Sequence, residues 1–184
     1  MFKLVIGGVL ALSMLAPPAA QAASCPSQPL AQRFLPWADP GWYAAVPGGG
    51  FEPSTPSWTL TGGAAAAEGN EPFFIGDAAD HRSLRLPPDA SATSPAICLG
   101  ADRPTLRLLV SGTVGSRLTI STVSQQGTLP IATLTAGRWT ATAPLPVALN
   151  VLAVASPQSV AFRFDASGGT WAIDDVYVDP YGKG

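Results

Sequence analysis

Apolar and polar positions alternate over short segments of this chain, and no segment carries a sustained helical repeat. Residues 118–123 alternate cleanly, whereas residues 105–110 begin by alternating and end wholly apolar. Both patterns are typical of strands in which one or both faces are buried. Turn residues separate such segments at intervals of about ten residues, which favours a sandwich or barrel. The sequence therefore predicts one all-β domain built as an antiparallel β-sandwich.

The predicted strands are short, and Gly, Pro, Asn or Asp residues separate most of them. They cover residues 43–46, 51–52, 57–60, 64–67, 73–75, 83–86, 92–98, 105–110, 117–123, 130–134, 145–154, 159–164 and 170–178. The last strand contains a phase shift, because Trp171 and Ile173 share one face while Val176 and Val178 are one residue out of step. If both pairs face the core, a β-bulge must absorb one residue between them.

The N-terminus has the layout of a secretory signal peptide. Lys3 supplies a positive start, residues 4–15 are apolar, and small residues precede a cleavage site after Ala22. The apolar run is shorter than the roughly 20 residues of a membrane-spanning helix. We divide the chain into a signal peptide (1–22), an extended Pro-rich strap (23–47) and a β-sandwich domain (43–184). We expect the mature protein to be secreted or envelope-associated, without a transmembrane segment.

The chain contains two cysteines, Cys25 and Cys98. An isolated pair in an exported protein indicates a disulfide, which would hold the strap to the sandwich. The alternative is a lipoprotein in which Cys25, preceded by Ala-Ala-Ser, carries the lipid. That alternative would leave Cys98 unpaired.

Composition and charge exclude several function classes. Charged residues make up 12% of the chain and the net charge is -2, with no basic run that would recruit nucleic acid. The single histidine, His81, has no metal-ligand or nucleophile motif around it. We therefore expect a protein without catalytic activity. A hydrolase using Glu68 and Glu71 as a carboxylate pair remains the third alternative.

Candidate ligand-binding residues lie in two loops. Trp37 and Trp42 fall in a proline-interrupted segment, so at least one of them is expected to be exposed. Asn70 and Glu71 place an amide and a carboxylate at a turn before an apolar segment. We predict that these four residues bind a ligand, while Trp139 fits either a core or a surface position.

The two ends of the predicted sandwich carry a recognisable pattern. Residues 50–52 read Gly-Phe-Glu, Trp58 follows, and residues 171–176 read Trp-Ala-Ile-Asp-Asp-Val. This pattern resembles jelly-roll carbohydrate-binding modules and the wider galactose-binding-like sandwiches. The resemblance implies that the first and last strands are adjacent. It also implies a structural Ca²⁺ held by Glu52 with Asp174 or Asp175, whose hard oxygen atoms suit that ion.

The chain is also similar to a family of uncharacterised exported bacterial proteins, through the motifs at residues 34–37, 69–73 and 173–180. That resemblance implies no activity. Together these observations predict an exported, monomeric, non-catalytic module that binds carbohydrate or cell-surface material. The alternative is a structural or protein-interaction domain of the cell envelope.

Overall fold

The computed structural model describes residues 25–53, 58–100, 104–147 and 157–180, so the predicted signal peptide lies outside the described residues. Within these ranges the chain forms two antiparallel β-sheets and one short 3-10 helix, Leu35–Trp37. This architecture confirms the predicted all-β sandwich. In the part of the chain that the structure describes, no helix is long and apolar enough to span a membrane.

The strands are numbered in chain order. They are β1 (Ala44–Ala45), β2 (Thr59–Thr61), β3 (Ala65–Glu68), β4 (Arg82–Leu86), β5 (Ser91–Thr93), β6 (Ile97–Leu99), β7 (Thr105–Gly112), β8 (Arg117–Ser124), β9 (Gly127–Thr135), β10 (Thr140–Ala141), β11 (Leu145–Pro146), β12 (Gln158–Ser167) and β13 (Trp171–Asp179). The first sheet has the order β10-β7-β13-β4-β3, with β1 paired to β13 and β11 paired to β7. The second sheet has the order β2-β5-β12-β8-β9, with β6 paired to β12.

One hydrophobic core lies between the two sheets. Trp171 and Ile173 on β13 join Leu84 on β4, and Phe162 and Phe164 on β12 complete the same cluster from the second sheet. Each of these side chains is at most 1% exposed. Burying one such side chain contributes about 1.5–3 kcal/mol. The alternating pattern of these strands therefore reports directly on which face of each sheet is inside.

The predicted β-bulge in the last strand is confirmed. Along β13, Asp174 pairs with Leu109 and Tyr177 pairs with Arg107, so three steps on β13 match two on β7. Asp175 adopts a left-handed backbone conformation with φ 49° at this point. The bulge brings both Ile173 and Val178 to the core, as their opposite phases require.

The N-terminal strap begins on one sheet and ends on the other. Cys25 is disulfide-bonded to Cys98 on β6 of the second sheet, which confirms the predicted bridge. Since both sulfur atoms are in this bond, Cys25 cannot carry a lipid in this state. The strap then turns through the 3-10 helix and pairs Ala31 with Tyr43 before entering β1 on the first sheet.

Two predicted strands are wrong. Residues 51–52 form no strand, because Phe51 closes a turn with φ 56°. Residues 73–75 form no strand either, because the Glu71 carboxylate accepts the backbone N–H groups of Phe73 and Ile75 that a ladder would use. The segment 92–98 is two strands, β5 and β6, interrupted at Pro95. Strand β10 is too short to show an alternating pattern, and its position was not predicted.

Candidate functional site

An open groove of about 490 Å³ lies on the outer face of the first sheet. This size falls in the range of about 300–1,000 Å³ that is usual for small-ligand sites. The groove is lined by Ala67, Glu68, Gly69, Asn70, Ser83, Arg85, Ser111, Gly112, Thr113, Trp139, Thr170, Trp171 and Ala172. These residues come from β3, β4, β7 and β13 and from the segments that follow or precede them.

Strand register places a row of side chains across the groove floor. Ala172 on β13 pairs with Arg85 on β4 on one side and with Ser111 on β7 on the other. Strand alternation turns these three side chains away from the core that Ile173 and Leu84 occupy. Because alanine and serine are small, Ala172 on β13 and Ser111 on β7 leave open space above the floor. Arg85 is the exception, and its side chain is exposed.

The groove has an aromatic residue at one edge and a polar loop at the other. Trp139 directly precedes β10, the edge strand on the β7 side. It is half-buried and packs against five residues that we call the strap cluster. The strap cluster consists of Phe34, Tyr43, Ile75, Leu109 and Tyr177. At the opposite edge, Glu68 ends β3 and Asn70 follows it. The indole of Trp139 is thus held in place by its own packing.

Two buried polar atoms at the groove have no hydrogen-bond partner within the described protein. They are Nε1 of Trp171 and Oδ1 of Asn70. The Asn70 amide nitrogen is already used, since it donates to the Glu71 carbonyl over 3.1 Å. Buried donors and acceptors in native proteins are nearly always paired. A hydroxyl group or water entering the groove would supply one donor and one acceptor.

The structure separates the four residues predicted to bind a ligand. Asn70 lines the groove, whereas Trp37, Trp42 and Glu71 do not. Trp37 is half-buried and lies edge-on to Phe73, with ring centroids 5.0 Å apart. Trp42 is 54% exposed, which agrees with the expected exposure of at least one strap tryptophan.

Glu71 instead belongs to a buried group of carboxylates above β13. It is fully buried, and its two carboxylate oxygens accept the backbone N–H groups of Phe73 and Ile75. Asp174 accepts the N–H of Glu71 over 3.4 Å, and Asp175 accepts the N–H of Gly76 over 3.2 Å. These contacts fasten the loop of residues 69–76 to the bulge. That loop carries Asn70 into the groove.

Burial raises the pKa of both aspartates at the bulge. The pKa of Asp174 rises to about 9, chiefly because the carboxylate is removed from water and then because Asp175 is next to it. The pKa of Asp175 rises to about 7 for the same reason, with further increases from the charges of Glu71 and Asp80. Asp174 and Asp175 are 1% and 3% exposed. This closed position differs from the open cleft that a carboxylate pair in a hydrolase requires.

The predicted calcium ligands have different partners. The Glu52 carboxylate accepts the backbone N–H groups of His81 and Arg82, each over 2.8 Å. Asp174 and Asp175 hold the 69–76 loop, as described above. Among the described residues no group of three or more His, Cys, Asp and Glu side chains is arranged to hold a metal ion. Among these residues Glu52 is therefore not grouped with Asp174 and Asp175 as one set of metal ligands, and calcium stays a prediction.

The groove residues that sequence reasoning missed are Arg85, Ser111 and Ala172. Alternation along β4 does place Arg85 opposite to Leu84, and the sequence shows that signal. The partners across the groove are far apart in sequence, however, and only the strand order β7-β13-β4 brings them together. Trp139 follows Gly137 and Arg138 at the approach to a strand, a position that in the sequence fits either the core or the surface.

Several solved structures similar to this fold are carbohydrate-binding modules. A variant of a family 29 module matches with a TM-score of 0.51 and 11% identity, covering 76% of this chain and 92% of that one. The C-terminal family 6 module of a marine laminarinase from Zobellia galactanivorans matches with a TM-score of 0.48 and 14% identity, covering 74% and 98%. The protein thus has a jelly-roll fold of the carbohydrate-binding-module type, as its sequence resemblance predicted.

A third structure shows such a module within a larger enzyme. The CBM22-1 and GH10 modules of an endo-1,4-beta-D-xylanase from Clostridium thermocellum, complexed with xylohexaose, match with a TM-score of 0.47 and 17% identity. The match covers 67% of this chain but only 26% of that one. No protein-family model matches the chain, and no curated protein is significantly similar to it.

Proposed function

We propose that this protein is an exported, non-catalytic module that binds carbohydrate in the groove of the first sheet. The observation that carries the proposal is the row formed by Arg85, Ala172 and Ser111, with Trp139 at one end of the groove. A sugar ring has apolar C–H faces and a rim of hydroxyl groups. A groove with one aromatic wall and several polar groups matches both parts.

Trp139 is the residue best suited to stack on a sugar ring. Its packing against the strap cluster restricts its rotation, so little conformational entropy is lost when a ligand binds. The small side chains of Ala172 and Ser111 leave space above the floor for a ring. The unpartnered Asn70 Oδ1 offers an acceptor to a hydroxyl group at the opposite edge.

The disulfide supports the export part of the proposal. Disulfides persist in oxidising compartments, and the Cys25–Cys98 bond joins the third residue after the predicted cleavage site to β6. The calcium prediction is not needed for binding in the groove, because Asp174 and Asp175 face the 69–76 loop.

Binding to a panel of soluble neutral and acidic polysaccharides tests the proposal. Replacing Trp139→Ala should weaken binding of any retained polysaccharide by about 10- to 100-fold, as for removal of a central aromatic contact. Trp42→Ala is the matched control, because Trp42 is exposed but does not line the groove. Affinity electrophoresis and calorimetry give the affinities, and thermal melting checks that both variants are folded.

The same experiment shows whether the binding site lies in the groove or on the strap. If Trp42→Ala abolishes binding and Trp139→Ala does not, the strap tryptophans predicted from sequence form the site. If the wild type retains no polysaccharide, carbohydrate binding is rejected.

A protein-interaction role is the second candidate, and exposed apolar side chains on and beside the strap favour it. Leu35, Phe73 and Phe74 are 52%, 47% and 49% exposed. This role predicts that one envelope protein is crosslinked to the wild type and lost with a Leu35→Ser, Phe74→Ser double variant. Retention of the crosslink in that variant would reject the surface.

A further inference from the structure

The arginines of this fold differ in what they contact. Four of them are engaged by protein groups: Arg33 donates to backbone carbonyls, Arg82 pairs with Glu68, Arg107 with Asp39 and Arg163 with Asp165. Arg85 is exposed and, within the part of the chain that the structure describes, its side chain makes no hydrogen bond or ion pair. It is also the only arginine that lines the groove within those residues.

The neighbours of Arg85 leave its guanidinium group open to a ligand. On β3 its cross-strand partner is Ala65, and on β13 it is Ala172. Neither alanine can shield or bind the charge. The carboxylate at the groove, Glu68, is 3.4 Å from Arg82 and is therefore partly neutralised by another cation. Among the described residues the guanidinium group of Arg85 thus has no ion-pair partner, although Glu68 lines the same groove.

We propose that the carbohydrate bound in the groove is acidic, and that Arg85 binds its carboxylate or sulfate group. This inference rests on the proposed function and deepens it by naming the ligand class. A guanidinium group offers a planar pair of donors that fits a carboxylate or sulfate in two parallel hydrogen bonds. Stacking on Trp139 binds the apolar face of a sugar, whereas Arg85 selects its charge.

A second cation lies next to the aromatic wall. Arg138 immediately precedes Trp139 and is exposed, and among the described residues it has no ion-pair partner. The chain as a whole carries a net charge of -2, so its overall charge does not attract an anionic polymer. The attraction must come from the charge of Arg85 in the groove, to which Arg138 adds from its position beside Trp139. Binding should therefore weaken as ionic strength rises, because salt screens exposed charges.

Polysaccharides that differ only in charge provide the test. De-esterified homogalacturonan and its methyl-esterified form share one backbone, but only the first carries free carboxylates. A sulfated galactan and its neutral counterpart form the second arm and separate sulfate from carboxylate recognition. All titrations contain chelator, because calcium gels de-esterified homogalacturonan. The wild type should bind at least one acidic member about 10- to 100-fold more tightly than its neutral counterpart.

Variants assign this preference to a residue. Arg85→Gln should remove the preference, so that this variant binds the acidic and the neutral members with equal affinity. Arg85→Lys keeps the charge but loses the planar pair of donors, so it should retain a smaller preference. Arg117→Gln is the matched control, since Arg117 is exposed at the start of β8 on the second sheet.

Each outcome decides a different statement. Equal binding of acidic and neutral members by the wild type overturns the inference, while the proposed carbohydrate-binding function stands. A charge preference that survives Arg85→Gln overturns the assignment to Arg85. Failure of the wild type to bind any polysaccharide overturns the proposed function and the inference together.

Discussion

The outer face of the first sheet has two halves that the same strands cross. In the covered half, β7 presents Arg107 and Leu109 and β13 presents Tyr177 to the strap. In the open half, beyond the aspartates of the bulge, the outward positions are Ser111 on β7 and Ala172 on β13. Large apolar side chains thus lie where the strap covers the sheet, and small ones lie in the groove. The side chains on two neighbouring strands decide which half is filled by protein and which is left for a ligand.

The covered half also contains a buried ion pair, which the open half lacks among the described residues. Arg107 donates to the Asp39 carboxylate over 2.7 Å, to the Thr142 carbonyl over 2.8 Å, and lies 4.3 Å from the centre of the Phe34 ring. The Tyr43 hydroxyl donates to the same carboxylate over 2.6 Å. Burial, and then this hydrogen bond to Asp39, raise the pKa of Tyr43. Arg85, in contrast, has alanines as both of its cross-strand neighbours and no ion-pair partner among the described residues.

The largest expected effect on stability is at the ion pair of Arg107 and Asp39. Arg107→Ala leaves Asp39 buried without its charge partner, so the free energy of unfolding should fall by about 3–5 kcal/mol. Urea unfolding followed by tryptophan fluorescence measures the change. Arg117→Ala, at an exposed position, should change it by no more than about 0.5 kcal/mol. Equal effects of the two variants would mean that the strap is not held by this pair.

The disulfide should have the next largest effect. It closes a loop with a sequence separation of 73 residues and anchors the beginning of the strap. A Cys25→Ser, Cys98→Ser double variant should lose about 2–4 kcal/mol of unfolding free energy. Intact-mass measurement with and without reductant and alkylation establishes the bond first. Two free thiols in the untreated mature protein would contradict the structure.

The buried aspartates should make stability depend on pH. The pKa of Asp174 is about 9 in the folded state and near 4 in the unfolded chain. At a pH between these two values, the folded state therefore keeps a proton that the unfolded state has released. The free energy of unfolding should therefore decrease as pH rises from about 4 towards 9. Asp174→Asn, which cannot ionise, should flatten this slope when urea unfolding is measured across the range in chelator.

Asp89→Asn is the control for that measurement, because Asp89 is exposed and should leave the slope unchanged. Repeating the wild-type titration with calcium in place of chelator tests the predicted ion. A ligand that binds only the folded state stabilises it by mass action, so calcium should raise the melting temperature at neutral pH. Identical curves with calcium and with chelator would reject the calcium site at Glu52, Asp174 and Asp175.

The core and the bulge were predictable because each depends on alternation within one strand. Spacing alone predicts which face of the strand is occupied by Trp171, Ile173 and Val178, and the phase shift between them locates the bulge. The groove was not predictable, because Arg85 and Ser111 meet only through the strand order. The strand predicted at residues 73–75 is wrong for a different reason. There, the buried Glu71 carboxylate competes for the backbone N–H groups and turns an apolar segment into a loop.

The smallest expected change in stability is in the open half, and it separates stability from binding. Ser111 lies in the floor row beside Ala172 and donates to the Gly137 carbonyl over 3.3 Å. Because this hydrogen bond is long and near solvent, Ser111→Ala should change the free energy of unfolding by at most about 0.5 kcal/mol. Loss of the hydroxyl should still weaken polysaccharide binding by about 3- to 10-fold, as for one hydrogen bond to a ligand. Leu109→Ala, two residues away on the same face of β7, should do the reverse: it should cost about 2–5 kcal/mol of stability, because it leaves a cavity in the strap cluster. Equal stability losses in the two variants, measured by urea unfolding, would show that the two halves of this face do not differ in the way proposed.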